Sequence, residues 1–470
     1  MLTYTLKKTP GHPLYEQLYQ SIRDDIAAGR LPAGPRLPSK RVLAAHLGVS
    51  VVTVESAYAQ LLAEGYAEAR PRSGVYVCAI GSSVPVQPPH MPPLPQPTAP
   101  EPLFDLSGGT GEDVPFPASV WVRTMREVIA DKRLMQPVDF AGAPELRAAI
   151  AAHLEQARGL RVSPEQIFIG AGTEYLYGLI VQLLGRRLRY AVEDPGYARL
   201  TQIYRANNVA LSHVPMDEGG IEVEKLRRCG ADVLHIMPSH QYPTGLVTAI
   251  SRRYELLGWA SEENGRFVIE DDYDCEFRLA GRPIPALQTI DASERVIYTN
   301  TFTKSLGPAF RIGYMVLPEH LATRFEQELG FYSCTVSAID QLALARFIEN
   351  GDYERHVNRM RTHYRSVRND LIAAFKATSL ADRMSIEAED SGLHFILGIK
   401  SAASEQEIAR AAQARGVALA PLSSFYQDAE NLPNLPPGTT LPRKFVISYT
   451  GIARESIESA ARAIAQAADG

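Results

Sequence analysis

The sequence predicts a multidomain protein: a helix-turn-helix with a hairpin wing at the N-terminus, then an α/β domain, then a smaller α+β domain. Three observations predict this order. Helical patterns separated by a glycine turn fill the first 80 residues, a stretch with nine prolines follows at 81–102, and beyond it β-branched runs alternate with helical patterns. At 470 residues the chain exceeds one typical domain and carries enough apolar content for a sizeable core.

In the first segment, "PLYEQLYQSIRDDIAAG" places Leu14, Leu18, Ile22 and Ile26 four apart, the apolar stripe of a helix that Pro13 opens and Gly29 closes. Ser39 is placed to cap a second helix through His46. After the turn "LGV", Ser50 caps a third, Val51 to about Glu64. "AEARPRSGVYV" then reads as a hairpin, with Arg70 and Arg72 flanking a turn at Ser73-Gly74.

The segment 81–102 holds one charged residue and reads as a polyproline II spacer of roughly 3 Å per residue. From 103 to about 350 the runs "QIFIG", "RYAV", "DVLHIM", "RFVIE", "RVIYTN" and "GYMVL" alternate with helical patterns such as "EYLYGLIVQLLG". Such alternation argues for crossover units and a mostly parallel sheet covered on both faces. From about 351 to 470 a long helix, "YERHVNRMRTHYRSVRNDLIAAFKA", introduces the α+β part.

The net charge of −5 argues against a nucleic-acid binder taken whole, but residues 1–80 hold nine Lys+Arg against six Asp+Glu, which is +3 there and −8 in the remainder. No apolar run reaches the ~18 residues needed to cross a bilayer, and the N-terminus lacks a signal peptide's apolar segment. A cytoplasmic protein is expected. Cys78, Cys229, Cys275 and Cys334 are scattered, with neither disulfide nor metal spacing, and read as reduced thiols.

Through "LPSKRVLAAHLGVSVVTVESAYAQLLAEGY" and "RSGVYV", the first segment resembles the winged helix-turn-helix of GntR-type transcription regulators. The resemblance implies double-stranded operator DNA as partner. It implies Arg41 near the groove, Ser50 and Thr53 on the phosphate backbone, Arg70 and Arg72 on the wing, and Gly74 letting the wing approach the minor groove. Val51 and Glu55 stand where many relatives place base-reading arginines, so thymine methyls, spacing and shape are expected to carry more of the recognition.

"TFTKSLGPAFRIGY" sets Lys304 among hydroxyls and apolar residues, with Arg311 seven positions on. A lysine amine condenses with an aldehyde, and pyridoxal 5′-phosphate (PLP) then needs a carboxylate for its ring nitrogen, a donor for its phenolic oxygen, a flat partner and a phosphate cradle. "RFVIEDDYDCEF" ends a strand with acids and a tyrosine. "GAGTEYLYG" starts a helix whose first N–H groups suit a phosphate, and "VEDPGYARL" offers an aromatic ring. All fall at strand ends, where open α/β sheets bind ligands.

This constellation resembles fold-type I PLP enzymes of the aspartate aminotransferase type and, joined to the first segment, the MocR subfamily of GntR regulators. The resemblance implies Lys304 as the Schiff-base lysine, Asp271 against the pyridinium nitrogen, Tyr273 on the phenolic oxygen and Tyr197 stacked on the ring. Gly172, Thr173, Thr301 or Thr303, and Arg311 would hold the phosphate. It also implies a homodimer that senses an amine or amino-acid effector by aldimine exchange at Lys304. Departures bear on turnover. Tyr242 replaces the usual asparagine beside the phenolic oxygen, Pro137 stands near the place of a tyrosine that reaches the neighbouring subunit, and Val446 stands where many transaminases carry the carboxylate-binding arginine. Arg199 and Arg443 are the substitutes. A PLP-level sensor and a working aminotransferase with an appended DNA reader are the alternative functions.

Overall fold

The computed structural model describes every residue except 1, 8–10, 81–103, 109–115, 132–133, 135–136, 280–283, 391, 433–441 and 470. The chain divides into two compact units, Met1–Pro100 and Glu101–Gly470. The proline-rich spacer expected at 81–102 lies outside the described residues.

In the first unit the helices run Leu14–Ala27, Lys40–Leu47 and Val51–Ala63, followed by the antiparallel hairpin Ala67–Arg70 and Gly74–Val77. Ser39 and Ser50 cap as expected: their hydroxyls accept from the backbone N–H of Val42 and Thr53. Gly48 closes the second helix in the left-handed region, φ 66°, where glycine pays no Cβ penalty. Leu18, Ile22, Leu43, Val54 and Leu61 are fully buried and bind the three helices into one core.

The second unit is built on an eight-stranded sheet among the described residues. Its order is Ile167–Gly170, Gly313–Val316, Val296–Thr301, Phe267–Asp271, Val233–Ile236, Arg189–Asp194, Ala210–Asp217 and Gly220–Ile221. The strands from Val296–Thr301 through Ala210–Asp217 are parallel, and Gly313–Val316 runs antiparallel to both its neighbours. Apolar clusters cover both faces, one around Tyr177, Ile180 and Ile269, the other around Ile169, Tyr298 and Tyr314, as a parallel sheet requires. The register aligns the strand ends: Gly170 faces Gly313, Gly313 faces Thr301, and Thr299 faces Asp271.

The long helix spans Asp352–Lys376 and leads to an antiparallel sheet ordered Met384–Glu387, His394–Ile399, Arg443–Ser448 and Ala420–Pro421. Residues just past the spacer belong to this small part and not to the large one. Phe104–Asp105 pairs with Val417–Ala418, and Leu106 is fully buried in the small part's core. The expectation that 103 to 350 is all large domain is corrected at that point.

Candidate cofactor site and DNA-binding surface

Helix Thr173–Leu184 begins without a side-chain cap. Its N-cap is Gly172 at φ 88°, so among the described residues the first N–H groups of the helix have neither an intrahelical nor a capping side-chain acceptor and form an anion-binding end. The guanidinium of Arg311 lies against Gly172, and a Cβ on Gly172 would sit 2.7 Å from its Nη2. A Cβ on Gly313 would sit 3.2 Å from the Thr173 nitrogen. Gly172 therefore admits the Arg311 side chain, and Gly313 admits the Thr173 backbone, at one spot. Arg311 itself holds φ 49°, a left-handed conformation costly for a non-glycine residue and typical of functional sites. Thr301 and Thr303 join the same spot, their hydroxyl oxygens 2.7 Å apart. The structure thus brings Gly172, Thr173, Thr301, Thr303 and Arg311 together.

Asp271 ends its strand, buried. Its Oδ2 accepts from the Tyr177 hydroxyl at 2.6 Å and has His235 Nε2 at 3.7 Å, while Oδ1 has no partner among the described residues. A buried carboxylate oxygen left unpaired is costly, and an N–H⁺ group is what would satisfy it. The neighbouring acids are already engaged. Asp272, on the other face of the sheet, pairs with Arg158 at 2.7 Å and accepts from the Tyr298 hydroxyl at 2.7 Å. Asp274 pairs with His240 at 2.8 Å. Strand alternation therefore leaves Asp271 alone facing the Tyr177 side.

Lys304 lies in the short helix Thr303–Leu306 and is exposed. The protein packed around it pulls its ammonium below the ordinary lysine range, which the Asp274 charge opposes, so its free-amine fraction is raised. Tyr273, half-buried, has its hydroxyl 3.2 Å from His240 Nδ1. The Tyr197 ring meets Tyr242 edge-on at 5.8 Å, and Tyr242 in turn meets Tyr273, His394 and Phe425 edge-on.

The two substitute arginines part company. Arg199 is exposed beside Tyr197, its charge 5.9 Å from the ring centroid and paired with Glu174 at 2.8 Å. Glu174 also reaches Arg311 at 3.3 Å, a bridge the sequence reading missed. Arg443 stands opposite Ile399 and donates to the Ala403 carbonyl. Period-two alternation puts it on the face of Phe445 and Ile447, whereas Val446 packs with Ile396 and Ala420 against Tyr242. Arg443 is therefore not brought to the site, and the small part's contribution next to Tyr242 is apolar.

On the first unit, Arg41 and Arg72 are exposed and form no ion pair among the described residues. Ser50 Oγ and Thr53 are bonded to each other as a cap. Arg70 pairs with Glu68 and lies 4.3 Å over the Tyr76 ring. Gly74 has a local reason to be glycine, since a Cβ would sit 2.6 Å from Arg36 Nε. Glu55, at the place where many relatives of the resembled family carry a base-reading arginine, binds Lys40 at 2.6 Å across the two helices, and Val51 and Val52 are exposed.

Comparison with known proteins agrees with both units. Residues 105–464 match the family "Aminotransferase class I and II", and residues 14–77 match "Bacterial regulatory proteins, gntR family". The chain is 33% identical over 87% of its length to the probable rhizopine catabolism regulatory protein MocR of Rhizobium meliloti, covering 87% of that protein. This chain belongs to the MocR subfamily of gntR-type transcriptional regulators. It is also 39% identical to the HTH-type transcriptional regulator YdeL of Bacillus subtilis (91% of this chain, 92% of the relative). It is 34% identical to the pyridoxine biosynthesis regulator PdxR of Corynebacterium glutamicum (81% and 82%). Among solved structures, an archaeal alanine:glyoxylate aminotransferase superposes with a TM-score of 0.68 over 78% of this chain and 90% of its own, at 22% identity; this similarity concerns the fold. A DNA-reading unit joined to an aminotransferase-like unit is thus the architecture of this regulator, and that unit implies PLP. Among the described residues no helix is long and apolar enough to cross a membrane, and none of the four cysteines is paired.

Proposed function

We propose that this regulator binds PLP at Lys304 and changes its grip on operator DNA when a primary amine or amino acid enters the site. The observation that carries the reading is the unpaired, buried Oδ1 of Asp271 at the end of its strand, in the same unit as the uncapped helix start that Arg311 flanks. When bound, PLP supplies an aldehyde that condenses reversibly with primary amines. The residues of this chain do the rest. Asp271, oriented by Tyr177, holds the ring nitrogen's proton. Gly172, Thr173, Thr301, Thr303 and Arg311 hold the phosphate, Tyr197 offers a flat partner, and Tyr273 offers a donor to the phenolic oxygen. Lys304, its basicity lowered by the protein packed around it, is the amine that would hold the cofactor.

Effector binding is favoured over turnover because no arginine stands at Val446, where the wall against Tyr242 is apolar. Arg199 is left as the effector-facing cation, and without a bidentate clamp the substrate is poorly oriented for proton abstraction. The working unit is a homodimer, and the effector acts only through its different affinity for two arrangements of the protein. The test is to titrate amines and amino acids into the PLP-loaded full chain while following its visible band and its DNA affinity together. One ligand class should shift both over the same concentration range. Steady release of oxo acid with an oxo-acid acceptor present would favour a working transaminase, and an effect of PLP alone on DNA affinity would favour a PLP-level sensor.

A further inference from the structure

His240 lies in the segment after strand Val233–Ile236, 5% exposed, with Asp274 2% exposed beside it. Its Nδ1 donates to Asp274 Oδ2 at 2.8 Å, and the Tyr273 hydroxyl oxygen lies 3.2 Å from the same nitrogen. A carboxylate at that distance keeps the proton on Nδ1. Asp274 also hydrogen-bonds the Tyr273 hydroxyl, so His240 and Asp274 together hold the tyrosine oxygen in place.

The ring of His240 is clamped from the small part of the unit. A Cβ on Gly392 would come 2.0 Å from His240 Cε1 and 2.4 Å from Asp274 Oδ2. Gly392 sits at φ 67° just before strand His394–Ile399. His394 packs its ring 4.7 Å from that of His240 and bonds to the Pro243 carbonyl. Among the described residues, Asp274, Tyr273 and His394 contact His240, and Arg158, Cys275 and Arg278 line the same small cavity. His394 is held well below the usual histidine range by burial first, then by His240 and Lys304, so it adds no positive charge at neutral pH.

We propose that His240, held by Asp274 and pressed by the Gly392 turn, is a positioning residue that aims the Tyr273 hydroxyl at the cofactor's ring oxygen. The place of the four-stranded sheet is thereby coupled to the electronic state of the cofactor. The inference rests on the PLP reading above. It goes beyond that reading in assigning His240, Asp274 and Gly392, none of which need touch the cofactor.

The test reads the pH midpoint of the visible band of the PLP-loaded full chain, with circular dichroism confirming the fold. A donor favours the charged form of the oxygen it bonds, so a well-aimed Tyr273 keeps the midpoint low. His240→Phe and Gly392→Ala are each expected to raise it by about one pH unit, a tenfold change in the proton equilibrium. His240→Asn, whose amide can replace the Nδ1–H, is expected to restore most of the shift. If His240→Phe fails to fold, Gly392→Ala and His240→Asn carry the same comparison. Midpoints equal to that of the unaltered protein overturn the inference and leave the PLP reading standing. Absence of any visible band in the unaltered protein overturns both.

Discussion

The guanidinium of Arg311 rests on the α-carbon of Gly172, so that a methyl group added there would meet Nη2 at 2.7 Å. Two segments more than a hundred residues apart in sequence meet there, and only a residue without a side chain permits it. Gly172→Ala is therefore expected to weaken PLP binding about tenfold, since a non-glycine residue at φ 88° adds roughly 1–2 kcal/mol of strain and the methyl displaces the arginine. Titration of the visible band against PLP checks this, and unchanged affinity would contradict it.

Tyr177 donates to Asp271 Oδ2 at 2.6 Å and fixes which way Oδ1 points. Tyr177→Phe removes one hydrogen bond, so PLP affinity is expected to fall by about 1 kcal/mol, roughly fivefold. Asp271→Ala is expected to cost considerably more, because it removes the ring nitrogen's partner. A larger loss for Tyr177→Phe than for Asp271→Ala would refute the assignment.

Glu55 neutralises Lys40 on the exposed surface of the DNA-reading unit. Glu55→Gln frees that cation, so binding to non-specific duplex DNA is expected to strengthen, with the slope of log affinity against log salt steeper by about one. Fluorescence anisotropy across a salt series measures it. An unchanged slope would mean that Lys40 does not face the phosphates.

Glu193 is buried at the end of its strand, with Met237 N–H donating to Oε2 at 3.0 Å. Burial, reinforced by the charge on Asp271, pushes its pKa up to about 8. The folded protein thus holds a proton that the unfolded chain has already released. Stability from this group is present below the ordinary glutamate range and is lost as pH rises toward that value, at ~1.4 kcal/mol per pH unit. Glu193→Gln keeps the acceptor without the charge and should flatten that fall. Urea unfolding at several pH values is the measurement, and parallel curves for the two proteins would contradict the prediction.

Much of this site was legible in the sequence because strand ends are marked locally. Apolar β-branched runs stop at Gly170, Asp271 and Thr301, and the residues after them carry the chemistry. What stayed hidden depends on contacts distant in sequence. Phe104–Asp105 pairs with Val417–Ala418, which no local pattern announces. The strand Ala210–Asp217 has a half-buried, mixed pattern without the continuous apolar run that marked its neighbours. The roles of Glu174 between Arg199 and Arg311, and of Glu55 on Lys40, arise only once helices pack. Arg443 could have been set aside from period two alone, since Phe445 and Ile447 share its face.

The account turns on Lys304 carrying the cofactor, and the most direct measurement is the visible absorption of the purified chain and its Lys304→Ala variant with added PLP. A band above the absorption of free PLP should form in the unaltered protein, survive gel filtration and be absent from the variant. A colourless protein, or a Lys304→Ala variant that retains the same band, would contradict it.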